Sequence, residues 1–210
     1  MPDDARTPDA PRRDPVAAAT EPRRTPAGDT PRFAAAPPSS ILLPGDPPAR
    51  LRVLTPDDWR LEVALSRTPD VPRWTYYPPG LPDDAARLRV ARSLDRARDG
   101  LAYRYVVVGA DEEALGSVGT TIPEGVPEVF YALLPAGRGR GLATRAVVAL
   151  ADWALAGGHD EVRLYTLEGN EASEAVARRA GFVAADTVTT TARGGALETM
   201  TRWVRTAAAR

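Results

Sequence analysis

A loop of alternating glycine and arginine stands directly before a long helix-forming segment, and this arrangement restricts the possible folds most strongly. The stretch PAGRGRGLATRAV covers residues 135–147. The strand-like residues EVFYALL precede it at 128–134, and helical apolar periodicity runs from Leu142 to about Ala156. Glycine costs backbone entropy on folding and offers no side chain for packing. Such a loop therefore needs either a turn to make or a ligand to hold.

The order of strand, glycine-rich loop and helix N-terminus is typical of an anion-binding site. The first N–H groups of a helix lack intrahelical acceptors, and the helix dipole adds partial positive charge there. Glycines allow these N–H groups to surround an oxyanion, and Arg138 and Arg140 add charge-assisted hydrogen bonds. We expect the loop to hold a phosphate-containing ligand; a plain glycine turn at a helix start is the alternative.

Two common phosphate-binding motifs do not fit this loop. A P-loop requires a lysine, and all 27 basic residues of this chain are arginine. A dinucleotide fingerprint requires G-x-G-x-x-G and an acidic residue near the end of the next strand. The loop instead has G-x-G-x-G, and the next strand offers only Glu168.

The composition excludes several further classes of site and partner. The 210 residues carry a net charge of -1, which argues against a nucleic-acid partner. The chain has no cysteine, so disulfides, thiolate metal sites and a cysteine nucleophile are excluded, and a single histidine argues against a His triad or multi-His metal site. No apolar run approaches the roughly 18 residues of a membrane span, and no secretory signal pattern is present. We expect a cytoplasmic protein with no metal and no membrane partner.

The chain divides into a tail and one domain. Residues 1–48 hold 12 of the 21 prolines and few large apolar residues. Such a segment buries too little surface to offset its ordering entropy, so we predict a disordered Pro/Ala/Arg-rich tail, with a partner-binding tail as the alternative. The domain is predicted at 49–206.

Helices and strands alternate within the predicted domain. Thr55 is the expected N-cap of a first helix that ends near Leu65, and a Pro-rich loop with three aromatic residues follows it. The alternation predicts an α/β (α+β) domain, a mixed sheet with helices on its faces. The predicted strands are near 51–54, 103–108, 115–122, 128–134, 161–167, 182–190 and 197–204, and the predicted helices are 56–65, 83–99, 142–156 and 170–181.

The loop carries a resemblance to a known family. Residues 138–143, RGRGLA, resemble the R-x-x-G-x-A acyl-CoA loop of the GNAT superfamily of N-acetyltransferases. Residues 128–147 are similar to the fourth strand and third helix of its RimJ/RimL-like branch, the ribosomal-protein N-terminal acetyltransferases. Residues 170–182, NEASEAVARRAGF, resemble that branch's N-x-x-S…G-F helix. Its opening and closing segments resemble LTPDDW (54–59) and LETMTRWV (197–204), so the similarity covers about 51–204.

The resemblance implies a fold and a reaction. It implies a mostly antiparallel sheet of about six to seven strands, whose fourth and fifth strands splay apart around the pantetheine arm of acetyl-CoA. It also implies direct acetyl transfer to an amine without a covalent enzyme intermediate, which agrees with the absence of cysteine. The residues that the resemblance assigns to the cofactor are Leu133, Leu134, Arg138, Gly139, Arg140, Gly141, Leu142, Ala143, Thr144, Asn170 and Ser173.

The catalytic assignments that follow from the resemblance are fewer. Glu128 matches a position where the family often has an acidic residue, and it would take the amine proton; a solvated glutamate at a strand end is the alternative. Many family members have a tyrosine acid at the position of Ala177, so the usual acid is missing here. Ser173 is the branch's alternative donor, and an ordinary first-turn serine is the other interpretation.

The acceptor is an amine of unspecified identity, either a protein N-terminus or a small molecule. Trp74, Tyr76 and Tyr77 of the Pro-rich loop are predicted to line its pocket, although such aromatic residues also serve to pin a loop to the core. A non-catalytic acyl-CoA-binding module on the same fold is the alternative function. We expect a monomer or homodimer.

Overall fold

The computed structural model describes residues 30–191, 195 and 197–207. Within this part of the chain, eight strands form one sheet and five helices pack against it. The strands are β1 (Ser40–Leu43), β2 (Ala49–Val53), β3 (Ala102–Gly109), β4 (Ala114–Thr121), β5 (Glu128–Leu133), β6 (Glu161–Leu167), β7 (Val183–Thr191) and β8 (Leu197–Thr206). The helices are α1 (Trp59–Arg67), α2 (Asp70–Trp74), α3 (Asp83–Arg98), α4 (Leu142–Ala156) and α5 (Glu171–Arg179).

The sheet is antiparallel except at one position. Its strand order is β1-β2-β3-β4-β5-β6-β8-β7, and β5 and β6 form the parallel pair that α4 connects. This confirms the predicted mixed, mostly antiparallel sheet with helices on both faces. The sheet has one strand more than expected, because β1 pairs with β2 from Ser40↔Arg52 to Leu43↔Ala49.

The parallel pair separates almost as soon as it begins. β5 and β6 are paired only at Glu128↔Arg163, where the Arg163 N–H donates to the Pro127 carbonyl at 2.8 Å. By contrast, β5 keeps six pairs with β4, and β6 keeps seven with β8. The two strands therefore diverge toward their C-terminal ends and leave a gap that opens toward the glycine loop.

Two hydrophobic cores hold the helices to the sheet. On one face, here called the α4–α5 face, side chains such as Val129, Leu133 and Leu150 pack with α4 and α5. On the opposite face, the α1–α3 face, Ala132 and Val106 pack with α1, α2 and α3. Alternate residues of β5 thus belong to opposite cores, as the two-residue period of a strand requires.

The first helix begins where the sequence predicted. The Asp58 carboxylate accepts hydrogen bonds from the Thr55 N–H at 2.6 Å and from the Thr55 hydroxyl at 2.8 Å. A single 3-10 turn, Pro56–Asp58, precedes α1. Arg52 of β2 also pairs with Asp58 at 2.8 Å, so the helix start is tied to the sheet.

Part of the predicted tail has regular structure, which corrects the expectation of disorder for residues 30–48. Phe33 is buried, and its ring lies 5.0 Å from that of Trp153 and 5.5 Å from that of Tyr103. Arg145 of α4 donates to the Leu43 and Pro47 carbonyls. These contacts join residues far apart in sequence, so proline content alone did not reveal them. Residues 1–29 of the predicted tail lie outside the described residues.

Two kinds of site have no counterpart in the described part of the chain. None of its helices is long and apolar enough to cross a membrane. No group of three or more His, Cys, Asp or Glu side chains there is arranged to hold a metal ion.

Candidate functional site

The edge of β5 that faces the gap carries unpaired backbone groups. Leu134 N–H donates to the Leu115 carbonyl of β4 at 2.9 Å, whereas the Pro127 carbonyl accepts from β6. Hydrogen-bonding direction alternates along a strand, so Tyr131 and Leu133 direct their backbone groups toward β6. Because β6 has diverged there, no ladder pairs them among the described residues.

The structure separates the two leucines that the sequence assigned together to the cofactor. Leu133 presents its N–H to the gap, but its carbonyl accepts from Arg138 at 2.9 and 3.1 Å. Leu134 is engaged at both groups, because its N–H bonds to β4 and its carbonyl accepts from the Gly137 N–H at 2.9 Å. The prediction of a free Leu134 backbone is therefore wrong, since the 3-10 turn at Pro135–Gly137 captures it.

The loop and the first turn of α4 present a row of unsatisfied donors. Arg138 N–H donates to the Pro135 carbonyl, and Arg145 N–H donates to the Gly141 carbonyl. Between them, within the described structure, the N–H groups of residues 139–144 have no protein acceptor. This row contains Gly139, Arg140, Gly141, Leu142, Ala143 and Thr144, which the sequence assigned to the cofactor.

Backbone conformation explains two glycines of the loop. Gly139 has φ +72° and Gly141, the N-cap of α4, has φ +67°. Other residues rarely adopt this left-handed conformation. A Cβ atom at either position would meet nothing within 4 Å, so the loop is open to solvent on that side. The side chains of Leu142 and Ala143 are buried in the core, and they anchor the helix start below the donors.

Arg138 points away from the helix N-terminus. Its guanidinium pairs with both Asp70 carboxylate oxygens, at 2.8 and 3.0 Å, while also donating to the Leu133 carbonyl. It therefore joins the end of β5 to the first turn of α2. The prediction that Arg138 contributes charge to an anion at the loop is not what this side chain does in the structure.

The remaining charges favour an anion at the loop. Arg140 is exposed and makes only a 3.4 Å hydrogen bond to the Ala136 carbonyl. The first turn of α4 contains no acidic residue. A free guanidinium and a helix N-terminus without a nearby carboxylate both stabilise negative charge.

On the far side of the gap, Asn170 caps α5 and fixes Ser173. The Asn170 Oδ1 atom accepts from the Ser173 N–H at 3.1 Å, so the amide NH2 and the second lone pair of Oδ1 remain for a ligand. The Ser173 hydroxyl lies 2.6 Å from the Tyr131 hydroxyl of β5. This hydrogen bond spans the gap, and burial raises the pKa of Tyr131.

Glu128 lies at the closed end of the gap. It is half-buried at the one position where β5 and β6 pair. Burial raises its pKa to about 7; the Arg163 charge opposes this rise, and Glu124 adds to it. Strand alternation places its side chain with Ala132 on the α1–α3 face, opposite to Tyr131.

Trp74 and Tyr76 lie at the entrance on the α1–α3 face. Trp74 lines a cavity of about 300 Å³, and the Arg73 guanidinium stacks over its ring at 4.6 Å. Tyr76 is exposed, and its hydroxyl donates to the Met200 sulfur at 3.6 Å. The other residues that line the cavity are Arg73, Leu167, Glu168, Glu198 and Thr199.

Tyr77 is a structural residue and does not line a pocket, which corrects the third aromatic prediction. It is 6% exposed, and its hydroxyl donates to Glu62 at 3.0 Å. Glu62 is fully buried and also pairs with Arg89 at 2.6 Å and with Arg104 at 3.0 Å. A buried carboxylate requires such partners. The network ties the Pro-rich loop to α1, α3 and β3.

A larger cavity, of about 700 Å³, lies away from the gap. Asp152, Leu155, Val183 and Arg205 are among the residues that line it, between α4 and the β7–β8 pair. None of the residues predicted from the sequence borders it. The gap is therefore the better candidate, because it collects unpaired donors and titratable side chains.

Sequence reasoning missed Tyr131 and Asp70. The alternation of EVFYALL could have placed Tyr131 on the same strand face as Val129 and Leu133, as a hydroxyl among apolar side chains. No comparable signal marked Asp70, because its contact with Arg138 joins residues 68 positions apart.

Comparison with known proteins agrees with this geometry. The family model described as the acetyltransferase (GNAT) domain matches residues 49–183. The chain therefore belongs to the GNAT acetyltransferase family, as the loop and the gap had indicated. No curated protein matches the chain significantly.

Solved acetyltransferase structures share the fold. RimL, a ribosomal L7/L12 alpha-N-protein acetyltransferase in complex with coenzyme A, has 18% identity and a TM-score of 0.66, over 79% of this chain and 97% of that one. Spermidine N-acetyltransferase from Vibrio cholerae, in complex with CoA and spermine, has 18% identity and a TM-score of 0.65, over 75% and 95%. The microcin C7 self-immunity acetyltransferase MccE, in complex with acetyl-CoA and AMP, has 14% identity and a TM-score of 0.67, over 76% and 92%.

Proposed function

We propose that this chain is an N-acetyltransferase that moves an acetyl group directly from acetyl-CoA to a primary amine. The observation that carries the proposal is the gap between β5 and β6, which ends at the six unpaired N–H groups of residues 139–144. These donors and Arg140 would hold the pyrophosphate. The solved structures with bound CoA or acetyl-CoA that share the fold support this ligand.

The gap has the shape and the donors for an extended arm. The free backbone groups of Tyr131 and the Leu133 N–H would bond the amides of the pantetheine as they would bond a neighbouring strand. The side-chain amide of Asn170, at the start of α5, would bond the arm from the other side of the gap. The thioester would then lie between the faces that carry Glu128 and Ser173, where positioning supplies much of the rate.

An amine must lose a proton when it attacks the thioester, and Glu128 is the proposed base. Its half-buried position on the α1–α3 face places it on the side where the Trp74 cavity opens. Glu168 and Glu198 line that cavity together with Trp74 and Arg73. Arg73 already stacks over the Trp74 ring, so the support for a cationic ligand comes from the two carboxylates, which outnumber the one guanidinium there. A cationic amine, as a peptide N-terminus or a small molecule, is the proposed acceptor.

The test is release of free thiol from acetyl-CoA in the presence of different amines. The panel contains peptides with different first residues, polyamines and aminoglycosides. Thiol release that depends on one class of amine supports the proposal and identifies the acceptor. Tight acetyl-CoA binding without thiol release across the panel would instead support a non-catalytic acyl-CoA-binding module. Absence of acetyl-CoA binding would overturn both.

A further inference from the structure

The hydrogen bond between Tyr131 and Ser173 is the only side-chain hydrogen bond across the gap among the described residues. Tyr131 belongs to β5, and Ser173 lies in the first turn of the helix that follows β6. Their hydroxyl oxygens are 2.6 Å apart. The backbone of Ser173 is itself held by the Asn170 cap, so the serine hydroxyl has a fixed position.

This pair lies on the opposite side of the sheet from the proposed base. Tyr131 packs against the core of the α4–α5 face, whereas Glu128 shares the other face with Ala132. The Cα atoms of Glu128 and Tyr131 are about 10 Å apart, three residues along one strand. A thioester in the gap would thus have a base on one side and two hydroxyl groups on the other.

At the position where many members of this family have a tyrosine that protonates the leaving thiolate, this chain has no such side chain. Ala177 is fully buried in the α4–α5 core and carries no proton donor. Ser173 lies four residues earlier on α5, hence on the same helix face one turn closer to the gap.

We infer that Tyr131 and Ser173 act as one proton-donating unit for the thiolate that leaves in the proposed reaction. As the C–N bond forms and the C–S bond breaks, the electron pair of the C–S bond goes to sulfur. Ser173 Oγ–H gives its proton to sulfur, and the Tyr131 hydroxyl gives its own proton to Ser173 Oγ. The amine attacks in its neutral form, after its ammonium proton has gone to water. The second proton that its nitrogen loses goes to Glu128, and water returns a proton to Tyr131 after the transfer.

The environment of Tyr131 suits this role. Burial raises the pKa of its hydroxyl, although the hydrogen bond with Ser173 and the nearby Arg179 charge oppose the rise. The hydroxyl therefore keeps its proton at a pH at which Glu128 is ionised. Tyr131 acts through Ser173, so it is a positioning and proton-supplying residue, while Ser173 meets the sulfur.

The experiment compares two acyl donors that differ in one atom. With acetyl-CoA the leaving group is the CoA thiolate, which needs a proton. With the selenium analogue of acetyl-CoA the leaving group is a selenolate, which is stable without one. With acetyl-CoA, Tyr131→Phe and Ser173→Ala should each lower kcat by about tenfold or more. With the selenoester both losses should shrink to about twofold or less, because the acid is no longer needed. Ser173→Thr, which keeps a hydroxyl, should retain most of the activity.

Controls separate a proton role from a structural one. Tyr105→Phe removes another tyrosine hydroxyl, which donates to the Pro38 carbonyl at 2.7 Å, and it should affect both donors equally. The Tyr131→Phe/Ser173→Ala double variant should lose no more than the worse single variant, because the two groups act as a unit. An unchanged kcat in Tyr131→Phe, or an equal loss with both donors, would overturn the inference while leaving the acetyltransferase itself established. A wild-type chain that releases no thiol with any amine would overturn the proposed function, and the inference with it.

Discussion

Glu128 has an environment that raises its proton affinity into the range useful for a base at neutral pH. Its pKa rises from an ordinary 4.5 to about 7 because burial disfavours the carboxylate. A general base works best when its pKa lies near the working pH. Only the ionised form accepts a proton, so the proposed acetyl transfer should become faster as the pH rises through this value.

The pH profile of kcat/KM tests this residue. We expect an acidic limb with a midpoint near 7 in the wild type, and its loss in Glu128→Gln together with a fall in rate of about 100-fold. Arg163→Gln should move the midpoint upward, because the Arg163 charge lowers the pKa of Glu128. Arg205→Gln, which removes an arginine paired with the remote Asp152, is the matched control and should not move it. A midpoint that stays in place in Arg163→Gln, or a limb that persists in Glu128→Gln, would exclude Glu128 as the base.

The raised pKa of Glu128 also makes the free energy of unfolding depend on pH, in the direction opposite to activity. The native state holds the Glu128 proton more tightly than the unfolded chain does, so between pH 4.5 and about 7 folding is coupled to proton uptake. Stability from this group is therefore present below pH 4.5 and is lost as the pH rises through 7. A carboxyl group that is half-buried although its ionisation destabilises the fold at neutral pH is more typical of a functional site than of a structural position.

At the scale of elements, the start of α4 determines whether the gap can hold a phosphate. Its six free N–H groups exist because Gly139 and Gly141 adopt left-handed conformations and because Leu142 and Ala143 bury their side chains. The donors thus depend on the backbone path, and Arg138 contributes less to the anion site than the sequence indicated. Arg138 instead connects β5 to α2 through Asp70.

Substitution of Gly141 tests the helix start directly. Gly141→Glu and Gly141→Gln both place a Cβ at φ +67° in open space, so they share the same backbone strain. Only the glutamate puts a negative charge among the donors, and it should raise the KM for acetyl-CoA about tenfold above that of the glutamine variant. Melting temperatures of the two variants should agree. Equal KM values in the two variants would remove this loop from the cofactor site.

At the scale of the whole molecule, local patterns predicted most of the fold. The long periodic segments became α3, α4 and the strands β3 to β6, because helix and strand periodicities depend on residues near in sequence. β1 was missed because it has four residues among prolines, and only pairing with β2 and packing beneath Arg145 define it. Tyr77 was misassigned for a similar reason, since Glu62 gathers partners that lie 15, 27 and 42 positions away.

In the candidate site too, features that depend on neighbouring residues could be predicted from the sequence, and contacts between residues far apart in the sequence could not. The glycine loop, the Asn170 cap and Glu128 could be located from motifs and family resemblance. The Tyr131–Ser173 hydrogen bond and the Arg138–Asp70 ion pair could not, because the packing of α5 and α2 beside β5 brings these residues together. Both contacts lie beside the gap, so the fold gives the candidate site a hydroxyl pair and an ion pair that cannot be identified from the sequence alone.

In the proposed reaction, an acetyl group passes directly from acetyl-CoA to an amine at the gap between β5 and β6. The most direct measurement follows both products at once, with the acetyl carbon isotopically labelled and the most active amine as acceptor. We predict one labelled N-acetyl product for each free thiol released, measured by mass spectrometry and thiol titration under single-turnover conditions. Thiol release without acetylated amine, or acetyl label retained on the protein, would contradict direct transfer.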